Sequence, residues 1–362
     1  MTAVKNRETQ LDVIRGLAIF LAMGWHLNGS TMDYAISNIW LFPGRSIGWA
    51  GVDLFFVLSG FLVGGNVLRE AAKTGRFDYK TFLIKRAFRL WPVLYVYLLA
   101  QMFFTSRPWG SFLPQIILHV QNFFETPLNH LWSLAVEEQF YLLLGLGLPV
   151  LIKFGMRPRH YVMGLVGLII ATWLLRLIAA FASVDPHAIQ IQTQYRLDGI
   201  AIGVLLALLA QRYPQVYAAM AVRRGLNAVL AISLFVSLVW LSGDVMKPAV
   251  GYTVAAIGSG LAILAFHKAP GTFWASSAAN AVAFLGICSY PLYIWHNGVG
   301  NQLTPWLASK LGVASPDLVV VGKYAASIAF AVLMTFCVER PFLRLRDRIV
   351  KDNRTQPEGV TA

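Results

Sequence analysis

The chain has 362 residues, of which 57% are hydrophobic and 13% are charged, and its formal net charge is +13 at pH 7. This composition lies outside the range of ordinary soluble domains and indicates a helical protein embedded in lipid. Because the basic residues cluster in short segments between apolar runs, we interpret them as topology signals rather than as a nucleic-acid surface. The two cysteines, Cys288 and Cys337, lie in apolar stretches, which argues against a disulfide framework or a thiol-rich metal site.

Apolar stretches of about 17 to 25 residues predict membrane-spanning helices. Most lysines and arginines fall on one side of the membrane if both termini are cytoplasmic, as the positive-inside rule requires. The segment 111–124 contains Pro114 and several polar residues, so we expect it to be interfacial or re-entrant, and Pro291 predicts a local kink. The sequence therefore predicts an all-α, polytopic membrane helix bundle of about ten transmembrane helices. The candidate spans are 11–28, 50–68, 87–104, 134–152, 161–182, 197–212, 226–242, 249–266, 280–300 and 318–338.

A single membrane-embedded domain is predicted over residues 1–350, since no internal repeat or long linker divides the chain. Residues 351–362 form a polar cytoplasmic tail that we expect to be disordered. The N-terminal apolar run is interrupted by Arg15 and lacks a small-residue cleavage pattern. We therefore predict a retained first helix rather than a signal peptide.

The first predicted span carries Arg15 and His26, which are 11 residues apart. In an α-helix this spacing is about three turns and 20°, with a rise of roughly 16 Å, so both side chains share one face. Ionisable residues inside a span cost about 2.5 to 3.5 kcal/mol each, which makes them functional candidates. The alternative for Arg15 is a simple ion pair with Asp12, one turn away.

The predicted topology places Arg86, Arg89 and Glu339 at the inner level of Arg15. A cluster of arginines is suited to holding phosphates through charge-assisted, often bidentate hydrogen bonds. A basic inner loop, however, needs Arg86 and Arg89 for topology alone. The sequence leaves both interpretations open.

At the outer level of His26 we expect a layer of carboxylates and a second histidine. A histidine near carboxylates is suited to general-base catalysis, so the two levels together describe transfer from a phosphorylated donor to a hydroxyl. The carboxylates could instead be interhelical pairs that hold the bundle together. Ser59 falls nearer mid-membrane with no base predicted at its depth, which argues against a serine nucleophile. The residues predicted in the outer layer are Asp53, Glu137, Glu138 and His296.

A series of short motifs follows along the chain. They are LDVIRGLA at 11–18 with His26 beyond it, GVDLFFVLSG at 51–60, RAFRLWP at 86–92, HLWSLAVEEQFY at 130–141, RLD at 196–198, SYPLYIWH at 289–296 and VERP at 338–341. Together they resemble the signature of membrane acyltransferase family 3, the O-antigen O-acetyltransferase type. The resemblance covers nearly the whole chain and fits the stand-alone form without a C-terminal esterase-like domain.

The resemblance implies an enzyme of the bacterial inner membrane that moves an acyl group, in the first instance acetyl, from cytoplasmic acyl-CoA. The acceptor would be a hydroxyl of a cell-surface glycan, a lipid-linked sugar or a small molecule, with no permanently bound cofactor and no metal. We assign donor binding to Arg15, Arg86 and Arg89, and general-base catalysis to His26, oriented by Glu137, Glu138 or Asp53; an acyl-histidine intermediate is the alternative. Acceptor binding is assigned to Trp132, Arg196, Asp198, Tyr290 and His296.

Other interpretations remain open at this point. Arg196, Asp198 and Glu339 are most simply salt-bridge members. A secondary transporter would also bury ionisable residues as a proton relay, although paired broken spans in two related halves are not evident. A channel or flippase subunit would leave the inner arginine cluster unexplained.

Overall fold

The structure is a computed structural model that describes residues 8–27, 35–74, 77–124, 126–153, 156–241 and 243–355. These residues are mostly helical and contain no β-strand, which confirms the predicted all-α class. The first nine α-helices are α1 (Thr9–Leu27), α2 (Ala35–Ile47), α3 (Ala50–Ser59), α4 (Gly65–Thr74), α5 (Tyr79–Phe104), α6 (Trp109–Ile117), α7 (Trp132–Lys153), α8 (Pro158–Phe181) and α9 (Pro186–Ile191). The others are α10 (Leu197–Arg212), α11 (Pro214–Ala221), α12 (Arg224–Ser237), α13 (Tyr252–Phe266), α14 (Ser277–Ile287), α15 (Ser289–Asn297), α16 (Thr304–Lys310), α17 (Pro316–Met334) and α18 (Arg340–Thr355).

Within the described chain, 5 helical segments are long and apolar enough to cross a membrane. Two bent helix pairs, Leu197–Arg212 with Pro214–Ala221 and Ser277–Ile287 with Ser289–Lys310, raise the number to 7 if each pair is one span. The chain is therefore a multi-pass membrane protein, and each predicted span overlaps a helix. The number of ten spans and the cytoplasmic termini stay predictions. The segments that qualify are Ala50–Lys73, Tyr79–Phe104, Pro158–Phe181, Lys247–Phe266 and Pro316–Val350.

Three local expectations can be compared with the structure. The segment 111–124 holds only the short helix α6, in keeping with its predicted interfacial or re-entrant character. The helix break expected near Pro291 lies at Cys288, because a proline is accommodated in the first turn of the helix that follows. Residues 351–355 continue α18 as a helix, and 356–362 lie outside the described residues.

The chain divides into two compact units, one formed by residues 1–77 and 110–287 and the other by 78–109 and 288–362. In the first unit, α1 packs against α2, α3 and α14. A π-helical turn, Gly60–Gly64, continues α3 and packs on α10. A Cβ on Gly203 would lie 2.0 Å from the Val57 carbonyl oxygen, and one on Gly60 would lie 2.1 Å from that of Ile200, so only glycine permits this approach.

The helices α1 and α3 run antiparallel in close contact. A Cβ on Gly51 would lie 2.5 Å from the Ala18 carbonyl oxygen and 2.8 Å from the Ala22 nitrogen. One on Gly48, at the turn before α3, would lie 2.4 Å from the Leu21 carbonyl oxygen. These approaches fix the register of the two helices.

Continuing this register places Asp53 level with Ala18 and Ser59 about level with Asp12. The predicted depths of both residues are therefore wrong. Asp53 lies about two turns below His26 rather than beside it, and Ser59 lies near the Arg15 end of α1 rather than at mid-membrane. The error arose because the sequence indicates where each span ends but not the axial offset between neighbouring helices.

In the second unit, α5 packs against α15 and α18. The ring of Tyr97 meets that of Trp295 edge-on at 5.1 Å between centroids. The hydroxyl of Tyr290 donates to the carbonyl oxygen of Leu90 at 2.5 Å. These contacts join the predicted motifs at 86–92 and 289–296 within one unit.

Candidate active site

A cavity of about 350 Å³ lies beside the first turns of α1 in the first unit. Three basic side chains line it, together with polar amides, two carboxylates and a mostly apolar remainder. This composition suits a ligand that carries anionic groups and an apolar or aromatic portion. The lining residues are Glu8, Leu11, Asp12, Arg15, Phe61, Leu62, Asn66, Arg69, Ala207, Ala210, Gln211, His267 and Lys268.

Arg15 both forms the predicted ion pair and lines the cavity. Its Nη1 donates to Asp12 Oδ1 at 3.0 Å, which confirms the pair within α1, and its side chain also lines the cavity. A guanidinium carries several N–H donors, so one hydrogen bond to Asp12 does not exhaust it. Arg69 and Lys268 are further cations of this cavity that sequence reasoning had treated as topology signals only.

His267 forms an aromatic edge of the cavity that the sequence did not predict. Its ring meets that of Phe61 edge-on at 4.9 Å, and Nδ1 lies 2.8 Å from the Tyr217 hydroxyl. Burial, followed by the charges of Lys268 and Arg224, lowers the pKa of His267 to about 4. The imidazole is therefore neutral at neutral pH, and it adds an uncharged ring to a cationic wall. The residue ends an apolar run and belongs to no motif, so no sequence signal pointed to it.

Asp53 and Arg196 form a buried ion pair between α3 and the start of α10. Asp53 Oδ1 accepts from Arg196 Nη2 at 2.8 Å, and the two side chains are 3% and 2% exposed. The guanidinium carbon lies 3.8 Å from the ring centre of Tyr252 and 5.5 Å from that of Trp132. Arg196 is thus a salt-bridge member, as the simpler interpretation predicted, and Trp132 lies beside it.

Asp198 pairs with Arg176 of α8 in a second buried ion pair. Arg176 donates from Nη1 and Nη2 to the two carboxylate oxygens of Asp198 at 3.2 and 2.6 Å, and its side chain is fully buried. It also donates to the Tyr195 carbonyl oxygen at 2.5 Å and to the Thr253 hydroxyl. Sequence reasoning left Arg176 without a role, because a lone arginine in an apolar span gives no indication of its partner.

Ser59 has a carboxylate partner that the sequence had excluded. Its hydroxyl donates to Glu137 Oε1 at 2.6 Å, and the hydroxyl of Tyr141, one turn further along α7, donates to Ser59 Oγ at 2.9 Å. The expectation that no base lies at the depth of Ser59 is therefore wrong. Glu137 lies at the depth of Ser59, whereas its predicted neighbour was His26.

Four predicted site residues lie in the second unit. Arg89 is paired with Glu339, which confirms their predicted common depth, and Arg86 is buried on the same helix, α5. His296 is fully buried, with Nδ1 at 2.7 Å from the Tyr293 carbonyl oxygen. Because a carbonyl oxygen only accepts, Nδ1 carries the proton. The hydroxyl of Tyr290 is bound to backbone as described above.

His26 is the penultimate residue of α1 and is half-buried, and Glu138 is half-buried on α7. Trp25, directly before the histidine, has its ring 5.0 Å from the Nζ of Lys247. The catalytic role of His26 and its orientation by a carboxylate stay predictions.

The structure is thus a multi-pass membrane protein with a cationic cavity beside the first turns of α1 and a half-buried histidine at the other end of that helix. Comparison with known families identifies the class. The chain matches the acyltransferase domain over residues 8–338 and belongs to this family of acyltransferases, which confirms the resemblance seen in its motifs.

Two curated relatives are named as O-acetyltransferases, in keeping with this family. The chain is 27% identical to peptidoglycan O-acetyltransferase OatA of Listeria monocytogenes over 91% of its own length and 55% of the relative. It is 26% identical to O-acetyltransferase OatA of Staphylococcus aureus (strain NCTC 8325 / PS 47) over 79% of the chain and 49% of the relative. The chain spans about half the length of the curated relatives it matches. No solved structure matches it.

Proposed function

We propose that the protein is a membrane O-acyltransferase that takes an acyl group, in the first instance acetyl, from acyl-CoA and transfers it to a hydroxyl of a glycan. The observation that carries the proposal is the cavity lined by Arg15, Arg69 and Lys268, because Arg15 shares its helix with His26. Membership of an acyltransferase family supports this function over the transporter alternative.

The donor would bind with its phosphates against the cationic wall of the cavity. Arginine and lysine bind phosphate through charge-assisted hydrogen bonds, and the neutral rings of Phe61 and His267 offer an apolar edge to the rest of the nucleotide. The long arm of acyl-CoA would then extend along α1 toward His26, roughly 16 Å away. Arg86 and Arg89 remain proposed donor-binding residues on the basis of their motif.

At His26 the acceptor hydroxyl oxygen would attack the thioester carbonyl carbon. The imidazole takes the hydroxyl proton, the new carbon–oxygen bond forms, the carbon–sulfur bond breaks and the CoA thiolate leaves. Glu138, Glu137 and Asp53 remain proposed catalytic carboxylates on the basis of their motifs, although Asp53 pairs with Arg196 and Glu137 accepts from Ser59 well below the level of His26. Trp132, Arg196, Asp198, Tyr290 and His296 remain the proposed acceptor-side residues.

We further propose ten spans with both termini in the cytoplasm of a bacterial inner membrane. This orientation puts the Arg15 end of α1 on the side where acyl-CoA is made and the His26 end toward the outer face. The name of the Listeria relative, a peptidoglycan O-acetyltransferase, supports a cell-envelope polysaccharide as acceptor.

The test uses the full chain in proteoliposomes with acetyl-CoA inside and an oligosaccharide outside. We expect release of free CoA inside and acetyl esters on the external sugar. A transporter would move its substrate without cleaving a thioester. Intact acetyl-CoA beside an unmodified acceptor, in vesicles shown to contain folded protein, would refute the proposal.

The cavity itself gives a sharper prediction. The double variant Arg69→Gln with Lys268→Gln is expected to raise the KM for acetyl-CoA about tenfold or more, because each hydrogen bond to a charged group contributes about 1.5 to 3 kcal/mol. The kcat should change little, since neither residue is near His26. The matched control is Arg223→Gln, an exposed arginine outside the cavity, which should leave the KM unchanged. Equal KM values for all three proteins would remove the cavity from donor binding.

A further inference from the structure

Lys247 stands at the His26 end of α1 in an unusual setting. It begins the π-helical turn Lys247–Gly251 that leads into α13. Its Nζ lies 5.0 Å from the ring centre of Trp25 and 5.3 Å from that of Trp49. Trp25 is 39% exposed, whereas Trp49 is buried and meets Tyr252 edge-on at 5.2 Å.

Among the residues that the structure describes, the ammonium group has aromatic neighbours but no counter-ion at contact distance. Within the described chain no carboxylate forms an ion pair with Lys247, and the carboxylates whose charges act on it from further away are those of Asp53 and the exposed Asp244. Asp53 is already paired with Arg196. Two tryptophan faces stabilise a cation but do not neutralise it. A half-buried ammonium in a membrane helix bundle marks a functional site by default.

The location of Lys247 connects it to the acceptor rather than the donor. Trp25 is the residue directly before His26, and the donor cavity lies about three turns further down α1. Single π-helical turns are frequent at functional sites. Lys247 therefore presents a positive charge at the end of α1 that carries His26, the residue proposed to activate the acceptor hydroxyl.

We propose that Lys247, held between Trp25 and Trp49, binds an anionic group of the acceptor, so that the protein selects a carboxylate-bearing saccharide over a neutral one. The inference rests on the proposed function, because it takes the bound saccharide to be the acceptor of the acyl group. The binding site itself can be tested without catalysis. An ammonium attracts a carboxylate by charge and hydrogen bonding, while the tryptophan faces exclude water from one side of the contact.

The test measures equilibrium binding of two oligosaccharides to the purified full chain. The probes are chitotriose, which is neutral, and carboxymethyl chitotriose, which adds carboxylates to the same backbone. The wild type is expected to bind the carboxylated sugar about tenfold more tightly, since a hydrogen bond to a charged group is worth at least that factor. This preference should weaken as salt is raised.

Three variants separate binding from folding. Lys247→Gln should lose the preference for the carboxylated sugar while still binding chitotriose, Lys247→Arg should keep it, and Lys310→Gln, which removes an exposed lysine of α16, should leave it unchanged. If Lys247 had a structural role only, Lys247→Gln would weaken the binding of both sugars equally. That result, or equal binding of both sugars by the wild type, or no binding of either, overturns the inference. A preserved preference without any acetyl transfer would instead count against the proposed function alone.

Discussion

Replacing Asp198 with asparagine is expected to lower the free energy of unfolding by about 3 to 5 kcal/mol. The variant keeps the size of the side chain but leaves the guanidinium of Arg176 buried, with no counter-charge at its two hydrogen-bonding nitrogens. A neighbouring pair, Asp53 with Arg196, is already engaged and cannot supply one. The measurement is thermal unfolding in detergent, where a loss of this size should lower Tm on the order of 10 °C.

Two further variants make the result specific. Asp347→Asn also removes one half of an ion pair, but Asp347 is 61% exposed beside Arg346, so the change should cost under about 1 kcal/mol. The double variant Asp198→Asn with Arg176→Met removes both charges and should recover part of the loss, because an uncharged pair pays no desolvation cost. If Asp198→Asn matched Asp347→Asn in stability yet lost activity, Asp198 would serve the acceptor rather than the fold.

The sequence predicts those features that depend on periodicity and charge alone. Apolar length located the helices, and the one-turn spacing of Asp12 and Arg15 predicted their ion pair. Arg89 and Glu339 each lie at the cytoplasmic end of a predicted span, so the sequence predicts that they lie at the same depth. The structure pairs them. In each case the prediction depends on residues close together in sequence, or on the side of the membrane at which a span begins.

The features that the sequence did not predict depend on how neighbouring helices slide and rotate. Gly48 and Gly51 let α3 approach α1 at backbone contact, and this register lowers Ser59 to the level of Asp12, where Glu137 meets it. A depth estimated by counting from the first apolar residue of each span does not include this axial offset between neighbouring helices. The same holds for His267, which enters the cavity only because α13 ends beside Phe61.

The largest effect on activity is expected for His26→Ala, which should lower kcat for acetyl transfer by about 10²- to 10⁴-fold, the range for loss of a general base. The KM for acetyl-CoA should change little, because the cationic cavity at Arg15 lies roughly 16 Å away along α1. Arg15→Gln should do the reverse and raise the KM for the donor, since it removes a charge from the cavity wall while leaving the imidazole in place. Steady-state kinetics in proteoliposomes, with donor inside and acceptor outside, measure both constants.

The contrast between these two variants tests whether α1 separates donor binding from chemistry. His187→Ala is the matched control, since His187 is exposed on the short helix α9 and should leave both constants unchanged. Full activity in His26→Ala would remove the histidine from the reaction. A loss of donor binding in His26→Ala equal to that in Arg15→Gln would place the whole reaction at one level of the membrane. The opposite responses expected here follow only if the acyl group is bound at one end of the helix and transferred at the other.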